Sequence, residues 1–367
     1  MPRFRHLAPR LASLDAHSTH RTRTLAGAGL IAAATAVFVA TTMPAATAAK
    51  VKPSGGSTAT ATVFFPNPVQ QTGNQGLTDQ KDADYAALQS SYRRVTLTDL
   101  DGTGTLTGRY VTVKSETGKA AAAVNGVFPD FHRDADEFEQ VMAYYWITSS
   151  ANYLRTLGFG TTLPAVDDRQ VQARINQFGG DNSFFRDNKI NITLGKGGVD
   201  DAEDAEVIVH EYGHATQDSQ VPGFGTSLEA GSIGEGFSDY FAVAVTDAVA
   251  GVPTLTPEAC VADWDSVSYT STVPHCLRRI DGTKHYPEDV RGEVHRDGEI
   301  WSSALYAIRG AVGPRMADTL IIDAQFGFAP DTSFAAAAQT TVNTAQQLYG
   351  ASAANAVRAA FTSRGLL

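Results

Sequence analysis

The sequence predicts an α+β fold of two lobes, with a β-rich N-terminal lobe at residues 50–200 and a mainly helical C-terminal lobe at residues 201–367. Three patterns predict this fold. Runs of β-branched residues alternate with turn residues between 61 and 113, and one long helical pattern spans 134–158. After Asp200, helical periodicity dominates as far as the C-terminus. The chain has 367 residues, 43% of them hydrophobic, which suffices for a sizeable core.

In the first lobe, strands are predicted at 94–98 and 109–113, joined as an antiparallel hairpin by the turn at 101–104. The long helix at 134–158 opens with an aspartate and closes with a glycine, and 190–194 predicts a further strand. The second lobe carries six predicted helices, at 202–218, 233–250, 298–310, 317–323, 333–348 and 351–362.

The N-terminus has the pattern of an export signal. Five arginines precede an apolar run at 25–40, and Ala46-Thr47-Ala48 has the small-x-small spacing that signal peptidase recognises. We therefore predict a signal peptide at 1–49, cleaved near Ala48 or Ala49, and a secreted protein. The alternative is a membrane anchor, but the apolar run is shorter than the roughly 20 residues that a spanning helix needs.

The charge balance and the cysteines narrow the class of protein further. With 39 Asp and Glu against 29 Lys and Arg, the formal net charge of −10 lacks the basic surface that nucleic acid requires. Cys260 and Cys276 are the only cysteines. Export to an oxidising compartment permits a disulfide between them, which would stabilise the fold by about 3 kcal/mol. The alternative is a pair of free buried thiols.

A His-Glu-x-x-His motif at 210–214 predicts a metal site. Residues four apart lie on one face of a helix, so His210 and His214 can both reach a single ion, and Glu211 lies about 100° further round as a general base. Histidine pairs on helices are also found as plain core or surface residues. Glu235, 21 positions after His214 at the start of a second apolar helix, can supply the third ligand.

The stretch Gly234-Glu235-Gly236-Phe237-Ser238-Asp239 resembles the Gly/Asn-Glu-x-x-Ser-Asp segment of the gluzincins, the thermolysin-like and fungalysin-like zinc peptidases. The resemblance spans roughly Asn182 to Tyr306. It implies a two-lobed metallopeptidase with one catalytic zinc in the cleft between the lobes, held by Glu235 and the two histidines. It also implies that Asp239 accepts a hydrogen bond from the imidazole of His210. The alternative for Asp239 is a carboxylate that only complements the helix dipole.

The segment 292–301 is similar to the gluzincin segment with a histidine that stabilises the tetrahedral intermediate, which implies this role for His295. His132, His275 and His285 are the rivals, and each can be a solvated surface residue.

Two further similarities concern the substrate. Asn182 and Ser183 begin a stretch similar to the edge strand that binds the peptide main chain in these enzymes. Arg278 is similar to an arginine that grips a substrate carbonyl, although either arginine of the 278–279 pair can equally be solvated.

The sequence departs from the family at two places. No tyrosine other than Tyr212 lies between the motif and Glu235, where the family has an oxyanion donor, so a residue such as Tyr286 would have to replace it. Glu206 stands where the family has a calcium-binding carboxylate, but the other calcium ligands do not align, and calcium is left open.

Together these patterns predict a secreted zinc endopeptidase in which Glu211 takes a proton from water and His295 stabilises the oxyanion. We expect a monomer with protein or peptide substrates, no nucleic-acid partner and no stable membrane anchor. Two alternatives stay open. One is a secreted zinc-binding protein with impaired catalysis. The other is a zinc aminopeptidase, although the Gly-x-Met-Glu-Asn segment of those enzymes is absent upstream of His210.

Overall fold

The computed structural model of the protein describes residues 56–251 and 254–367. The predicted leader at 1–49 and its cleavage site lie outside the described residues. Within the described ranges, no helix combines the length and the apolar character needed to cross a bilayer.

The described residues contain eight strands: β1 Ser57–Phe64, β2 Tyr92–Leu100, β3 Val111–Ser115, β4 Val171–Ile175, β5 Phe184–Arg186, β6 Asn191–Thr193, β7 Cys260–Val261 and β8 Arg278–Arg279. They form three sheets. β1 and β2 are an antiparallel pair, as are β7 and β8. The largest sheet has the order β3-β4-β6-β5, in which β5 is an edge strand and the only antiparallel member.

Eight α-helices complete the described fold: α1 Pro68–Thr72, α2 Asp136–Leu157, α3 Ala205–Gln220, α4 Leu228–Ala250, α5 Val294–Val312, α6 Pro314–Ala324, α7 Phe334–Tyr349 and α8 Ala351–Thr362. All six helices expected in the second lobe are present as α3 to α8. α4 begins five residues earlier than expected, because Ser227 caps it by accepting a hydrogen bond from the backbone N–H of Ala230 at 3.1 Å.

The predicted hairpin between 94–98 and 109–113 is wrong. Both strands exist, as parts of β2 and β3, but β2 pairs with β1, whereas β3 pairs in parallel with β4. A parallel pair needs a long crossover connection, and α2 supplies it between β3 and β4. The turn at 101–104 therefore leads the chain from one sheet to the next, and the two segments pair only beside the turn, through an isolated antiparallel bridge between Leu100 and Gly108.

One hydrophobic core includes residues from both halves of the chain. Ile147 of α2, Ile208 of α3, Phe237 of α4 and Ile300 of α5 are all buried in it. The helices α3 and α4 carry the predicted metal ligands, so these ligands stand on elements that the core holds in place. The β-rich N-terminal part and the helical C-terminal part agree with the expected α+β fold class, while the boundary at residue 200 stays a prediction.

Candidate active site

The helix with the His-Glu-x-x-His motif, α3, is anchored at its N-terminus by Asp204. The Asp204 side chain accepts a hydrogen bond from the backbone N–H of Glu206 at 2.9 Å, which caps the helix. The same carboxylate accepts from the backbone N–H groups of Trp264 and Asp265, at 3.0 and 3.1 Å. A single buried side chain therefore starts the helix and ties it to the segment at 264–265.

A glycine inside the motif allows α4 to approach α3 closely. A Cβ atom added to Gly213 would lie 3.0 Å from the Cα of Ser238 and 2.9 Å from its hydroxyl oxygen. Any larger residue at 213 would push the two helices apart. The close contact brings Glu235, on α4, towards the two histidines of α3.

The three predicted metal ligands meet at one point. Donor atoms of His210, His214 and Glu235 all lie within 4.8 Å of one another. Nε2 of His210 is 3.2 Å from Oε2 of Glu235, and Nε2 of His214 is 3.7 Å from Oε1. Two imidazoles and one carboxylate are a donor set that zinc prefers, and three protein ligands leave the fourth tetrahedral position for water or substrate. The residues present thus fit a catalytic zinc ion.

Asp239, one turn beyond Glu235, lies beside the imidazole nitrogen of His210 that faces away from the cluster. Its Oδ1 lies 2.8 Å from Nδ1 of His210. Arg278 donates to both of its oxygens, from Nε and Nη2, at 2.7 Å each. Burial by itself would raise the pKa of Asp239, but Arg278 and His210 lower it to about 2. An ionised carboxylate at Nδ1 leaves Nε2 of His210 free to face the metal position.

Arg278 is held in place by the predicted disulfide, which is present. The bond joins Cys260 in β7 to Cys276, two residues before Arg278, and β7 pairs with β8, in which Arg278 lies. Through this pairing the guanidinium reaches Asp239 while still lining the cavity next to the motif.

Glu211 is buried beside the ligands and has a free oxygen. Among the described residues, none donates a hydrogen bond to its Oε2. Burial raises the pKa of Glu211, and the nearby His210 and His214 partly oppose that rise. A carboxylate with a raised pKa and an unengaged oxygen is suited to accept a proton and to give it up again.

His295 lies in the first turn of α5, next to the cluster of predicted metal ligands. Its Nε2 lies 3.5 Å from Oε2 of Glu235, and its Nδ1 lies 2.6 Å from Oε1 of Glu293. Glu293 also caps α5, accepting from the backbone N–H of Arg296 at 2.9 Å. Sequence reasoning missed Glu293 because the helix was predicted to begin at 298, whereas α5 begins at Val294, and because glutamate is not among the usual N-cap residues.

The other three histidines do not reach this place. Nδ1 of His132 lies 2.8 Å from Asp84, and Nδ1 of His285 lies 2.8 Å from Glu288. Nε2 of His275 lies 2.9 Å from the carbonyl oxygen of Gln75. Of the four histidines considered from sequence for this role, only His295 lies close to the ligand cluster.

The cluster opens onto two cavities, of about 400 and 450 Å³. Asn182, Ser183, His210, Glu211 and His295 line both of them. Asn182 and Ser183 immediately precede the edge strand β5, whose outer side pairs with no other strand of the described residues. An extended peptide could therefore be added along this edge.

Tyr286 and Glu206, which the sequence suggested as an oxyanion donor and a calcium-binding carboxylate, make other contacts in the structure. The hydroxyl of Tyr286 donates to Oε1 of Glu229 at 3.0 Å, and Tyr286 lines neither cavity. The buried carboxylate of Glu206 accepts from the backbone N–H of Ala262 at 2.7 Å and from the Thr246 hydroxyl at 3.3 Å. Glu206 belongs to none of the groups of three potential metal ligands in the described part of the chain.

Comparisons with known proteins agree with this geometry. Residues 223–366 match the family model described as thermolysin metallopeptidase, alpha-helical domain. Extracellular metalloproteinase 4 of Trichophyton rubrum is 30% identical over 119 residues, which cover 29% of this chain and 17% of that protein. Extracellular metalloproteinase 2 of Phaeosphaeria nodorum is 30% identical over 118 residues, with the same two coverages of 29% and 17%. The aligned part thus spans only about a sixth of these relatives.

Among solved structures, the precursor of protealysin, a metalloproteinase from Serratia proteamaculans, has a TM-score of 0.52 and 17% sequence identity. The likeness covers 83% of this chain and 99% of that one. The resemblance to thermolysin-like and fungalysin-like metallopeptidases is therefore confirmed, and so is the predicted two-lobed α+β fold class.

Proposed function

We propose that this protein is a secreted zinc endopeptidase, with His210, His214 and Glu235 as the metal ligands and Glu211 as the general base. The observation that carries the proposal is the convergence of three donor groups from two helices within 4.8 Å of one another. The buried carboxylate beside them, with an oxygen that accepts no hydrogen bond from the described residues, supplies the base. A family model for the helical half and relatives named metalloproteinases support the same reaction class.

The chain's own residues divide the work of hydrolysis. Zinc, when bound, supplies Lewis acidity and a nucleophile at neutral pH. Glu211 takes the proton of the attacking water, a transfer that its raised pKa favours, and returns it to the leaving amine. His295 faces the same point from α5 and stabilises the negative charge that develops on the carbonyl oxygen. Asp239 keeps His210 in the orientation and tautomer that a ligand needs.

The substrate main chain is proposed to bind along β5. Asn182 and Ser183 line both cavities at the N-terminal end of this strand and can hydrogen-bond an extended peptide. Arg278 uses Nε and Nη2 for Asp239. Its Nη1 makes no hydrogen bond within the described residues and is left to donate to a substrate carbonyl.

Secretion and the domain division belong to the same proposal. The arginine-rich leader at 1–49 and the word extracellular in the relatives' names support export, with cleavage near Ala48 or Ala49. We take 50–200 as the β-rich lobe and 201–367 as the helical lobe, and we expect a monomer that acts on proteins or peptides.

The test compares the purified chain with Glu211→Gln, and with Glu116→Gln as a matched control on an exposed surface away from the cavities. We expect all three proteins to bind one zinc ion, and the wild type and the control to cleave an N-blocked quenched peptide in a chelator-sensitive manner. Glu211→Gln should lose about 10²- to 10⁴-fold in rate, the usual contribution of a general base.

Two other outcomes would select the alternatives. If wild type and Glu211→Gln bind zinc equally and are equally inert, the protein is a zinc-binding protein without peptidase activity. If free peptides are cleaved while N-blocked ones are spared, it is an aminopeptidase.

A further inference from the structure

The 400 Å³ cavity beside Glu211 has an acidic wall. Asp181, Asp201 and Asp265 all line it, and carboxylate oxygens of the three lie within 4.8 Å of one another. Asp181 is exposed at the rim, whereas Asp201 is only 2% exposed and Asp265 only 4%. Two buried carboxylates and one exposed carboxylate therefore lie close together on one side of the cavity.

The two buried carboxylates each have an unused oxygen. Oδ2 of Asp201 accepts hydrogen bonds from the Ser183 hydroxyl and the backbone N–H of Gly195, and Oδ2 of Asp265 accepts from the Tyr269 hydroxyl at 2.8 Å. Oδ1 of Asp201 and Oδ1 of Asp265 accept no hydrogen bond from any described residue. A buried carboxylate oxygen without a partner costs free energy, which a bound donor would recover.

Within the described residues, no lysine or arginine forms an ion pair with Asp181, Asp201 or Asp265. Arg278 lines the same cavity, but its charge is already engaged by Asp239. Burial and then the neighbouring Asp181 raise the pKa of Asp201 to about 7, although the Ser183 hydroxyl lowers it. Burial, and then the neighbouring carboxylates of Asp201 and Asp181, raise the pKa of Asp265. The wall is therefore short of positive charge.

The rest of the lining decides which cation fits. Val207, Val261 and Leu277 give the cavity an apolar side, which suits the methylene stem of a long side chain with a charged tip. Calcium instead takes 6–8 oxygen ligands. Two of the oxygens here are already engaged by Ser183 and Tyr269.

We propose that this cavity is a specificity subsite that binds the lysine or arginine side chain of a substrate residue next to the scissile bond. The position relative to the scissile bond rests on the proposed function, because the same cavity is lined by His210 and Glu211. The apolar side holds the stem, and the free oxygens of Asp201 and Asp265 accept hydrogen bonds from the ammonium or guanidinium group.

The experiment measures peptide binding by fluorescence anisotropy to zinc-loaded Glu211→Gln, so that it does not depend on turnover. N-blocked peptides differ only in lysine, arginine, norleucine or glutamate, placed on either side of one central bond. We expect lysine or arginine to bind about 10- to 100-fold more tightly than norleucine at one of the two positions, the factor that charge-assisted hydrogen bonds provide.

The same peptides are then measured with Asp265→Asn and with Asp181→Asn, whose exposed site makes it the safer variant for folding. Either change should reduce the preference for lysine several-fold. The matched control is Asp168→Asn, an exposed aspartate outside both cavities that pairs with Arg109, and this variant should keep the preference.

Equal binding of norleucine and lysine, an unchanged preference in both cavity variants, or no binding of any peptide would overturn the subsite. So would a calcium ion that equilibrium dialysis finds in the wild type but not in Asp265→Asn, if millimolar calcium also abolishes the lysine preference. An inert wild type that still prefers lysine in the Glu211→Gln background would refute only the peptidase proposal.

Discussion

The helices α4 and α5 pack closely at a glycine contact, and Gly236→Ala tests it. Gly236 follows Glu235 on α4 and packs against Gly298, three residues after His295 on α5. A Cβ atom added at 236 would press against the carbonyl oxygen of Gly298, and it would lie 3.0 Å from the backbone nitrogen of Ser302. Backbone atoms cannot rotate away, so the two helices would have to separate.

The expected loss follows from two opposing effects. Overpacking of a tight core contact costs about 1–3 kcal/mol. Alanine is about 1 kcal/mol more favourable than glycine inside a helix, which offsets part of that cost. We therefore expect Gly236→Ala to lower the free energy of unfolding by up to about 2 kcal/mol. Because a displaced α4 also moves Glu235 relative to His210 and His214, zinc affinity should fall as well.

The control makes the same substitution in α5, where the space is open. A Cβ atom added at Gly310 would meet nothing within 4 Å, so Gly310→Ala should stabilise the protein by about 0.5–1 kcal/mol. Urea unfolding followed by circular dichroism, with chelator in every sample to remove the contribution of bound zinc, compares the two. If Gly236→Ala gains stability as Gly310→Ala does, the close contact of α4 with α5 does not have the role assigned to it.

Three further predictions follow from single groups. Asp239→Asn should weaken zinc binding about 10- to 100-fold in a competition titration with a chromophoric chelator, since it loses the charge beside His210; unchanged affinity would contradict that. Replacing both Cys260 and Cys276 by serine should lower the free energy of unfolding by about 3 kcal/mol, as expected for closing a loop of this length; an unchanged urea midpoint would contradict it. Burial raises the pKa of Asp201 to about 7, so the folded state keeps a proton that the unfolded chain releases above about pH 4. Stability should therefore fall between about pH 4 and pH 7, and Asp201→Asn should remove a few kcal/mol of that fall; parallel pH profiles would contradict this.

The helical half of the fold was predictable because its signals are local. Each of α3 to α8 has apolar residues at helical spacing, although the caps Asp204 and Ser227 start α3 and α4 at other residues than the expected 202 and 233. The hairpin failed for the opposite reason. Local sequence indicates that a segment is a strand, but its partner depends on distant segments, and the long helix α2 makes β3 a partner of β4.

The candidate site, too, could be predicted from sequence only in part. The spacing of His210 and His214 on one helix, and Glu235 on the next, could be recognised from sequence because each part is a short motif. The acidic wall could not, because its carboxylates come from three separate segments: Asp181 precedes β5, Asp201 precedes α3 and Asp265 follows β7.

The acidic segment 200–206 shows why the acidic wall could not be predicted from the sequence. Its acidic residues look like a single charged helix start, yet each has a different partner. Asp204 caps α3 and holds the backbone of Asp265, whereas Glu203 is buried and accepts from Nε of Arg133 at 2.8 Å. Asp201 turns into the cavity. Because Asp204 contacts both the start of α3, which carries two of the proposed zinc ligands, and the backbone of Asp265, the position of Asp265 relative to those ligands depends on this side chain. A change at Asp204 should therefore disturb metal binding and lysine preference together, whereas Asp265→Asn should affect the preference alone.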